Sequence, residues 1–497
     1  MDFNYLTTII FLPVVGAILI AFLPGLSARV IKRIAALFTF AALALSLFLF
    51  AIFDRSLAAA GIIQFEEKLS WIPAINAHYH LGVDGLSLPL MILMTFLGFL
   101  VVLISWEIDL RPREYFAWLL LLETSILGVF CSLDLLLFFL FWEIEVIPMY
   151  FLISIWGTGR KEYSAIKYVV YTLFGSAMML AGILSLYFTT GSLSMVEIAQ
   201  TGIGSFTAVI PIVAIFFLLL IGFAVKLPVF PLHTWLPDAH TDAPTAVSVV
   251  LAGALLKMGG YGMIRLCVTI FPQVAKAYAP FLAALAVVSV LYGAAVTMRQ
   301  TDLKRLIAYS SISHMGYVLL GVFALTQVSL VGASLQMFSH GIITGLLFAM
   351  AGLLMHNAGE RDLRKLGGLA RQMPIIAVTF SVAGLAALGL PTTSGFAAEF
   401  LVFVGSFTST IVPGIQVCTI LAILGVVITA GYILWMLQRV FYGPVLEQFN
   451  GVADADVLER VYIFTLIAVI MLVGIYPAIL TDVIKTGVMP VIQLLGG

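Results

Sequence analysis

Six ionisable side chains stand inside stretches that are otherwise apolar. Glu143 lies in FWEIEVIPMYF, Lys226 in AVKLPVFP, Lys257 in AGALLKMGGYG, His314 in SSISHMGYV, His340 in QMFSHGIIT and Glu399 in SGFAAEFLVF. A charge at the centre of a lipid bilayer costs about 2.5–3.5 kcal/mol or more, so side chains of these types at such places call for a use. Desolvation favours the neutral form of a lysine and of a glutamate alike, and an adjacent opposite charge restores ionisation. Histidine titrates near neutrality unaided. An acid–base pair such as Glu143 with Lys226 would then act as a switch, the lysine releasing its proton when the two part. The six fall near the middle of their apolar stretches, so they predict a row lying in the membrane plane, suited to lateral proton relay with water completing the two ends.

Each of these residues also has a plainer reading. Lys226 and Lys257 would serve as structural ion pairs, or as heads that reach for the interface, although their central depth opposes the second. A lone buried histidine is ordinarily a hydrogen-bonded core residue, and His314 and His340 gain weight because they sit at similar depth in successive helices. Glu399, beside a helix break, would cap freed amides. Glu145 lies two residues from Glu143, about 200° around a helix, so the two are not expected to share a partner, and one would face a neighbouring protein. Glu123 is a further acid inside an apolar stretch. In HTWLPDAHTDAPT, residues 233–245, the side chains of His233, Asp238, His240 and Asp242 match no metal-ligand spacing. That segment reads as a polar turn that caps the flanking helices and helps admit protons. His78, His80 and Asp84 read as a surface hairpin or subunit contact within 54–85, and Asp302, Lys304 and Arg305 as a solvated turn.

The elements that must hold these residues are membrane helices. Of 497 residues, 62% are hydrophobic and only 10% charged, too few to cover a soluble surface. Apolar runs of spanning length number about fourteen. They predict an all-α polytopic protein with N-terminal helices and an outer loop in 1–115, a five-helix unit in 116–270, a second unit in 281–440 and a last helix in 441–497. The first run, 5–24, has neither a basic leader nor a small-residue cleavage site and reads as a retained helix. Two runs are interrupted by proline: 207–232 by Pro228 and Pro231, and 374–410 by Pro391 with Gly389 and Gly395 nearby. In lipid such breaks need protein or water to satisfy the freed backbone. They fall five helices apart, an odd number, so the two units are expected to be inverted, an arrangement that places ion sites at the broken helices.

Basic residues orient the chain. Arg29, Lys32, Arg33, Arg111, Arg113, Arg160, Lys161, Arg299, Lys304, Arg305, Arg361, Arg364, Lys365 and Arg371 fall in loops on one side, against Arg55, Lys68, Lys276 and Lys485 on the other. The richer side is expected to be cytoplasmic, with both termini on the outer side of a bacterial inner membrane. Cys131, Cys267 and Cys418 match no zinc, haem or iron–sulfur spacing, and no phosphate loop or dinucleotide fingerprint is present. Energy is therefore expected from an ion gradient or from a partner.

At these motifs the sequence resembles the antiporter-like membrane subunits of respiratory complex I, in particular the M type (the fourth NADH dehydrogenase chain of mitochondria, the D chain of plastids and cyanobacteria). The most specific block is AVKLPVFPLHTWLPDAHTDAPTAVSVVLAGALLKMGGYGMIRL at 224–266, supported by FFLFWEIEVIPMYFLISIWG at 138–157, LKRLIAYSSISHMGYV at 303–318 and QMFSHG at 336–341. The resemblance implies that the acid of the fifth helix and the lysine of the seventh part and rejoin during pumping. It assigns these roles to Glu143 and Lys226, a relay role to Lys257 and the terminal role to Glu399. A glutamate at that last position, and no long lateral helix at the C-terminal end, resemble subunit M rather than subunits L or N. The WEIE sequence looks more like the plastid and cyanobacterial form, which bears on whether NADH or ferredoxin supplies electrons. The resemblance also implies no cofactor or metal in this chain, FMN, iron–sulfur clusters and quinone in other subunits, L- and N-type neighbours, a lipid surround and no nucleic acid. Alternatives sharing the fold are a subunit of a multi-subunit sodium/proton antiporter, a subunit of a membrane-bound hydrogenase, and a purely structural membrane arm.

Overall fold

A computed structural model describes residues 3–496. Among them, twelve helices are long and apolar enough to cross a membrane, and Ile212–Lys226, Pro374–Ala387 and Ser394–Phe407 are shorter apolar pieces. The short pieces are the interrupted stretches. The first ends at Lys226 and gives way to an irregular segment carrying Pro228 and Pro231. The other two are separated by 388–393, which contains Pro391. At that second break Gly389 has φ of +79°, a left-handed backbone that glycine adopts without steric penalty. Gly395 lets the two pieces touch, since a Cβ there would stand 2.2 Å from the Ala386 carbonyl oxygen.

Two irregularities were not expected from the proline pattern of the interrupted runs. The span Leu135–Trp156 is split by a single turn residue, Glu145, between Leu135–Ile144 and Val146–Trp156. Pro148 supplies the cause: it has no amide to donate to the Ile144 carbonyl, four residues back. The span Thr245–Val268 contains two π-helical turns, Leu251–Leu255 and Met263–Val268, with Lys257 in the α-helical turn between them. Such turns shift the hydrogen-bond ladder by one residue and re-aim the side chains around them.

The helices differ in what surrounds them. Thr245–Val268, Leu303–Phe323 and Gln327–Ala358 are buried over nearly all their length. Ala28–Ile52, Ile415–Phe441 and Val457–Ile475 leave most of their residues at least partly exposed, as helices facing lipid do. The three buried helices carry Lys257, His314 and His340.

Four sequence expectations need correction. Residues 233–245 are not a surface turn: Trp235–Asp242 is a short helix buried along its whole length. Several of its polar groups are satisfied inside the protein, with the Trp235 indole donating to the Val225 carbonyl at 2.9 Å and the Thr241 hydroxyl to Pro237 at 2.6 Å. Lys304 is not solvated; it is 2% exposed and donates to the Ala243 carbonyl at 2.9 Å. Residues 54–85 do contain a hairpin, Gln64–Ile72 antiparallel to Ala77–Val83 with Lys68 opposite His80. However, His80 and Asp84 are buried rather than on its surface, Asp84 pairing with Arg265 at 2.7 Å. Finally, the single last helix expected in 441–497 is two, Val457–Ile475 and, beyond Pro477, Ala478–Leu494.

Candidate functional site

Five of the six ionisable residues fall into two groups, and the sixth, Glu143, joins neither by a hydrogen bond. In the first, Lys226 stands on the last residue of its helix, just before the break. Its ammonium forms an ion pair with Glu145, and both residues are almost completely buried. The Tyr168 hydroxyl donates to the same carboxylate and accepts from Lys226 at 3.1 Å. Aromatic faces enclose the cation, Tyr168 at 5.0 Å and Trp142 at 5.9 Å to the ring centres, a weak but favourable contact for an ammonium.

The direct partner of Lys226 is therefore Glu145 and not Glu143, which corrects the expected pair. The helix breaks at Glu145, and the contact falls to that residue, while Glu143 stays near Lys226 without touching it. Glu143 is half-buried, with Oε1 out of contact with solvent and lacking a hydrogen-bond partner.

In the second group four residues form a chain. Lys257 donates to the Ala252 carbonyl, within the preceding π turn, and lies 2.8 Å from Nδ1 of His340. The His340 and His314 rings are 5.6 Å apart between centres. Nδ1 of His314 meets Oε1 of Glu399 at 3.1 Å, and the Gln336 amide donates to the same oxygen at 3.4 Å. Nε2 of both histidines is buried and has no protein partner. His314, His340, Gln336, Ser310, Thr344 and Glu399 line a cavity of about 10 Å³, the room one water requires. Glu399 also lines a much larger apolar cavity of about 550 Å³ with Phe396, Phe400, Phe403 and Phe407. It thus stands between the polar chain and the outer side of the bundle.

No hydrogen bond among the described residues joins the first group to the second. Glu123, His233, Asp238 and His240 form no hydrogen bond with either group among the described residues, although His240 stands near Lys257 and His340. Glu123 is buried against Gly98 with Oε1 unpartnered; a Cβ at Gly98 would come within 2.5 Å of its carboxyl carbon, so the acid fits only because glycine is there. His233 and His240 have both ring nitrogens buried without partners. His233 stacks on Phe230 at 5.7 Å, and His240 on Phe348 at 4.6 Å. Asp238 binds Lys167 at 2.7 Å and faces Arg305 at 3.7 Å, while Asp242 accepts from Ser164 at 2.6 Å. These carboxylates are thus engaged as ion-pair and hydrogen-bond partners. Among the described residues no three or more His, Cys, Asp or Glu are placed to hold a metal ion.

Sequence reasoning overlooked Lys167, Arg265 and Tyr168. The first two are charges inside predicted apolar spans and gave the same signal as Lys226. Tyr168 gave none, since a tyrosine in a membrane helix is common.

Residues 132–429 match the family described as NADH:quinone oxidoreductase/Mrp antiporter, TM. The chain is 42% identical, over 97% of its length and 90% of the relative's, to NAD(P)H-quinone oxidoreductase chain 4 1 of Synechococcus elongatus. It is 39% identical to NADH-quinone oxidoreductase subunit M of Rhodobacter capsulatus, over 99% and 96% of the two chains. A chain of respiratory complex I from Thermus thermophilus superposes with a TM-score of 0.88 at 28% identity, covering 99% of this chain and all of that one.

Proposed function

This chain belongs to the NADH:quinone oxidoreductase/Mrp antiporter membrane family, as an antiporter-like membrane-arm subunit of the complex I type, and we propose that it translocates protons through its buried Glu/Lys/His groups. The observation that carries this reading is the contact chain Lys257–His340–His314–Glu399.

The chain has a direction built from its tautomers. With Nδ1 of His340 facing the Lys257 ammonium, that nitrogen accepts and Nε2 carries the hydrogen. A proton passing from Lys257 to Nδ1 leaves from Nε2 into the one-water cavity, reaches Nε2 of His314, and leaves from Nδ1 to Glu399. Both Nε2 atoms lack protein partners, which is what such a water-bridged step needs. Glu399 then passes the proton outward beside the second break. The reset requires each imidazole to regain its starting tautomer.

The Lys226–Glu145 pair is the gate in this reading. Parting a buried pair costs about 3–5 kcal/mol, whereas moving one charge against 100 mV costs about 2.3 kcal/mol. Opening and closing the pair therefore works on the right scale. The driving energy comes from quinone reduction in other subunits, which hold the FMN and iron–sulfur clusters. L- and N-type subunits flank this one, its two five-helix units are inverted, and both termini face the outer side of the inner membrane.

The test is to reconstitute the whole complex in proteoliposomes with His340→Leu and Lys257→Met, and to measure protons moved per electron pair. A lowered ratio with intact assembly is expected. An unchanged ratio in both variants overturns the relay.

A further inference from the structure

A cavity of about 340 Å³ lies at one edge of the bundle, on the face of Gln327–Ala358 away from His340. Its walls come from the C-terminal end of Ser87–Ile104, the stretch from Ala349 to His356 in Gln327–Ala358, the start of Thr245–Val250 and the first turns of Val457–Ile475. Two features define what it would take. The charged groups lining it are Glu107, Asp456, Glu459 and the imidazole of His356, which meets Glu107 at 3.0 Å; no lysine or arginine is among them. Trp106, Tyr115, Trp156 and Tyr462 supply aromatic surface. Helix ends of both signs meet there, the carbonyl ends of Ser87–Ile104 and Gln327–Ala358 and the amide ends of Thr245–Val250 and Val457–Ile475, so the charged side chains and not the helix poles set its preference.

Tyr462 is the second, independent sign of a ligand. It is only 2% exposed and lines the cavity, yet its hydroxyl forms no hydrogen bond among the described residues. Glu459, Asp456 and Glu107 are its charged neighbours. The acids are too dispersed to hold a metal ion, since no such cluster of three exists among the described residues. A dispersed set of carboxylates with aromatic walls and this volume suits a larger, softer cation.

We propose that this cavity binds an organic ammonium group, as borne by an ethanolamine-type phospholipid headgroup or by a free amine of the same chemistry. The ammonium sits between Glu107 and Glu459, against the aromatic rings, with the Tyr462 hydroxyl oxygen accepting from it. This site is separate from the relay and stands or falls independently of it.

The assembled complex in phosphatidylglycerol nanodiscs, doped with phosphatidylethanolamine carrying a photoreactive headgroup, tests the proposal. Labelling of the peptides spanning 103–115 and 456–462 is expected, and about tenfold less in Glu107→Gln/Glu459→Gln, which removes two charge-assisted contacts. Glutamine at 459 can keep the reciprocal cap that Glu459 makes with Asp456, so the helix start is preserved. Tyr462→Phe, which leaves the packing in place, should lower labelling less. Loss of labelling under excess ethanolamine supports a free amine, and persistence supports the lipid headgroup. The proposal is overturned by labelling no stronger than that of a photoreactive phosphatidylglycerol, by labelling unchanged in both variants, or by a basic side chain of an adjoining subunit found crosslinked into the cavity. Electron transfer and pumping, measured on the same samples, report on the relay separately.

Discussion

The two groups of buried ionisable residues solve the problem of charge in lipid differently. Lys226 meets a carboxylate directly, with a tyrosine bridging the two, and the result is a closed, neutralised unit. Lys257 meets no carboxylate; its hydrogen-bond partners are a backbone carbonyl and an imidazole, and the acid of that group lies at the far end beyond two histidines. A closed pair resists change until something pulls it apart, whereas a row of groups in hydrogen-bond succession passes a proton on without first parting a lysine–carboxylate pair. The first arrangement suits a gate and the second a wire. The contrast also explains why the helix breaks differ in position: Lys226 precedes its break and Glu399 follows its own.

The largest effect should come from the gate. Lys226→Ala leaves Glu145 buried without its counter-charge, a penalty of about 3–5 kcal/mol, and should abolish coupled pumping by this subunit in a complex that still assembles. A normal proton-to-electron ratio in that variant would dissolve the distinction between gate and wire. Next in size is the choice between the two acids. Glu145→Gln should approach the Lys226→Ala defect, while Glu143→Gln, which breaks no hydrogen bond of the pair, should cost less than about 1 kcal/mol. A double-mutant cycle with Lys226 measures both couplings. If Glu143 couples to Lys226 more strongly than Glu145 does, the pairing seen here is not the one that works.

The wire is broken at its middle. His340→Leu removes the link between Lys257 and His314, and pumping should fall by about a hundredfold, the lower end of what a positioned acid–base group supplies. Electron transfer uncoupled by an ionophore should be spared. Equal loss of both would mean that His340 holds the core together instead. Tyr168→Phe is gentler: the ion pair remains and one bridging hydroxyl is lost, worth about 0.5–1.5 kcal/mol, so the pumping rate should drop only a few-fold. A loss as deep as that of Glu145→Gln would make Tyr168 part of the proton path.

Much of this was legible in the residues themselves. Periodic apolar length gives the helices, and Pro228, Pro231 and Pro391 give the two breaks. The six ionisable residues declare themselves because charge is costly in lipid. What the sequence hides is side-chain direction. Glu143 and Glu145 are indistinguishable by composition, and only the turn that Pro148 imposes decides which of them Lys226 meets. The π turns flanking Lys257 leave no mark in composition either, because leucine, alanine and glycine serve an α-helix as well. Segment 233–245 misled for the opposite reason. Its polar and turn-forming residues read as exposed, yet Lys167, Arg305 and Ser164, distant in sequence, satisfy its carboxylates inside the protein.

The smallest effect separates the pH response of these groups from that of the surface they adjoin. His80, on the hairpin at 64–83, is held below its ordinary pKa by burial, which outweighs the opposing pull of Glu66 at 2.7 Å. The unfolded hairpin therefore binds a proton more readily than the folded one. By linkage, the stability His80 contributes is present above its unfolded pKa, about 6.5, and is lost as pH falls below it. Its carbonyl accepts from the Leu133 amide, so loosening the hairpin disturbs the start of the helix that carries Glu143. Hydrogen exchange at Leu69, Tyr79 and Leu81, corrected for intrinsic rates, should show protection falling between about pH 8 and about pH 5. His80→Gln should flatten that dependence while leaving the proton-to-electron ratio at pH 7 unchanged. If protection instead holds constant or rises on acidification, the hairpin is not the pH-sensitive part. Any acid-induced loss of pumping then belongs to the gate or the wire.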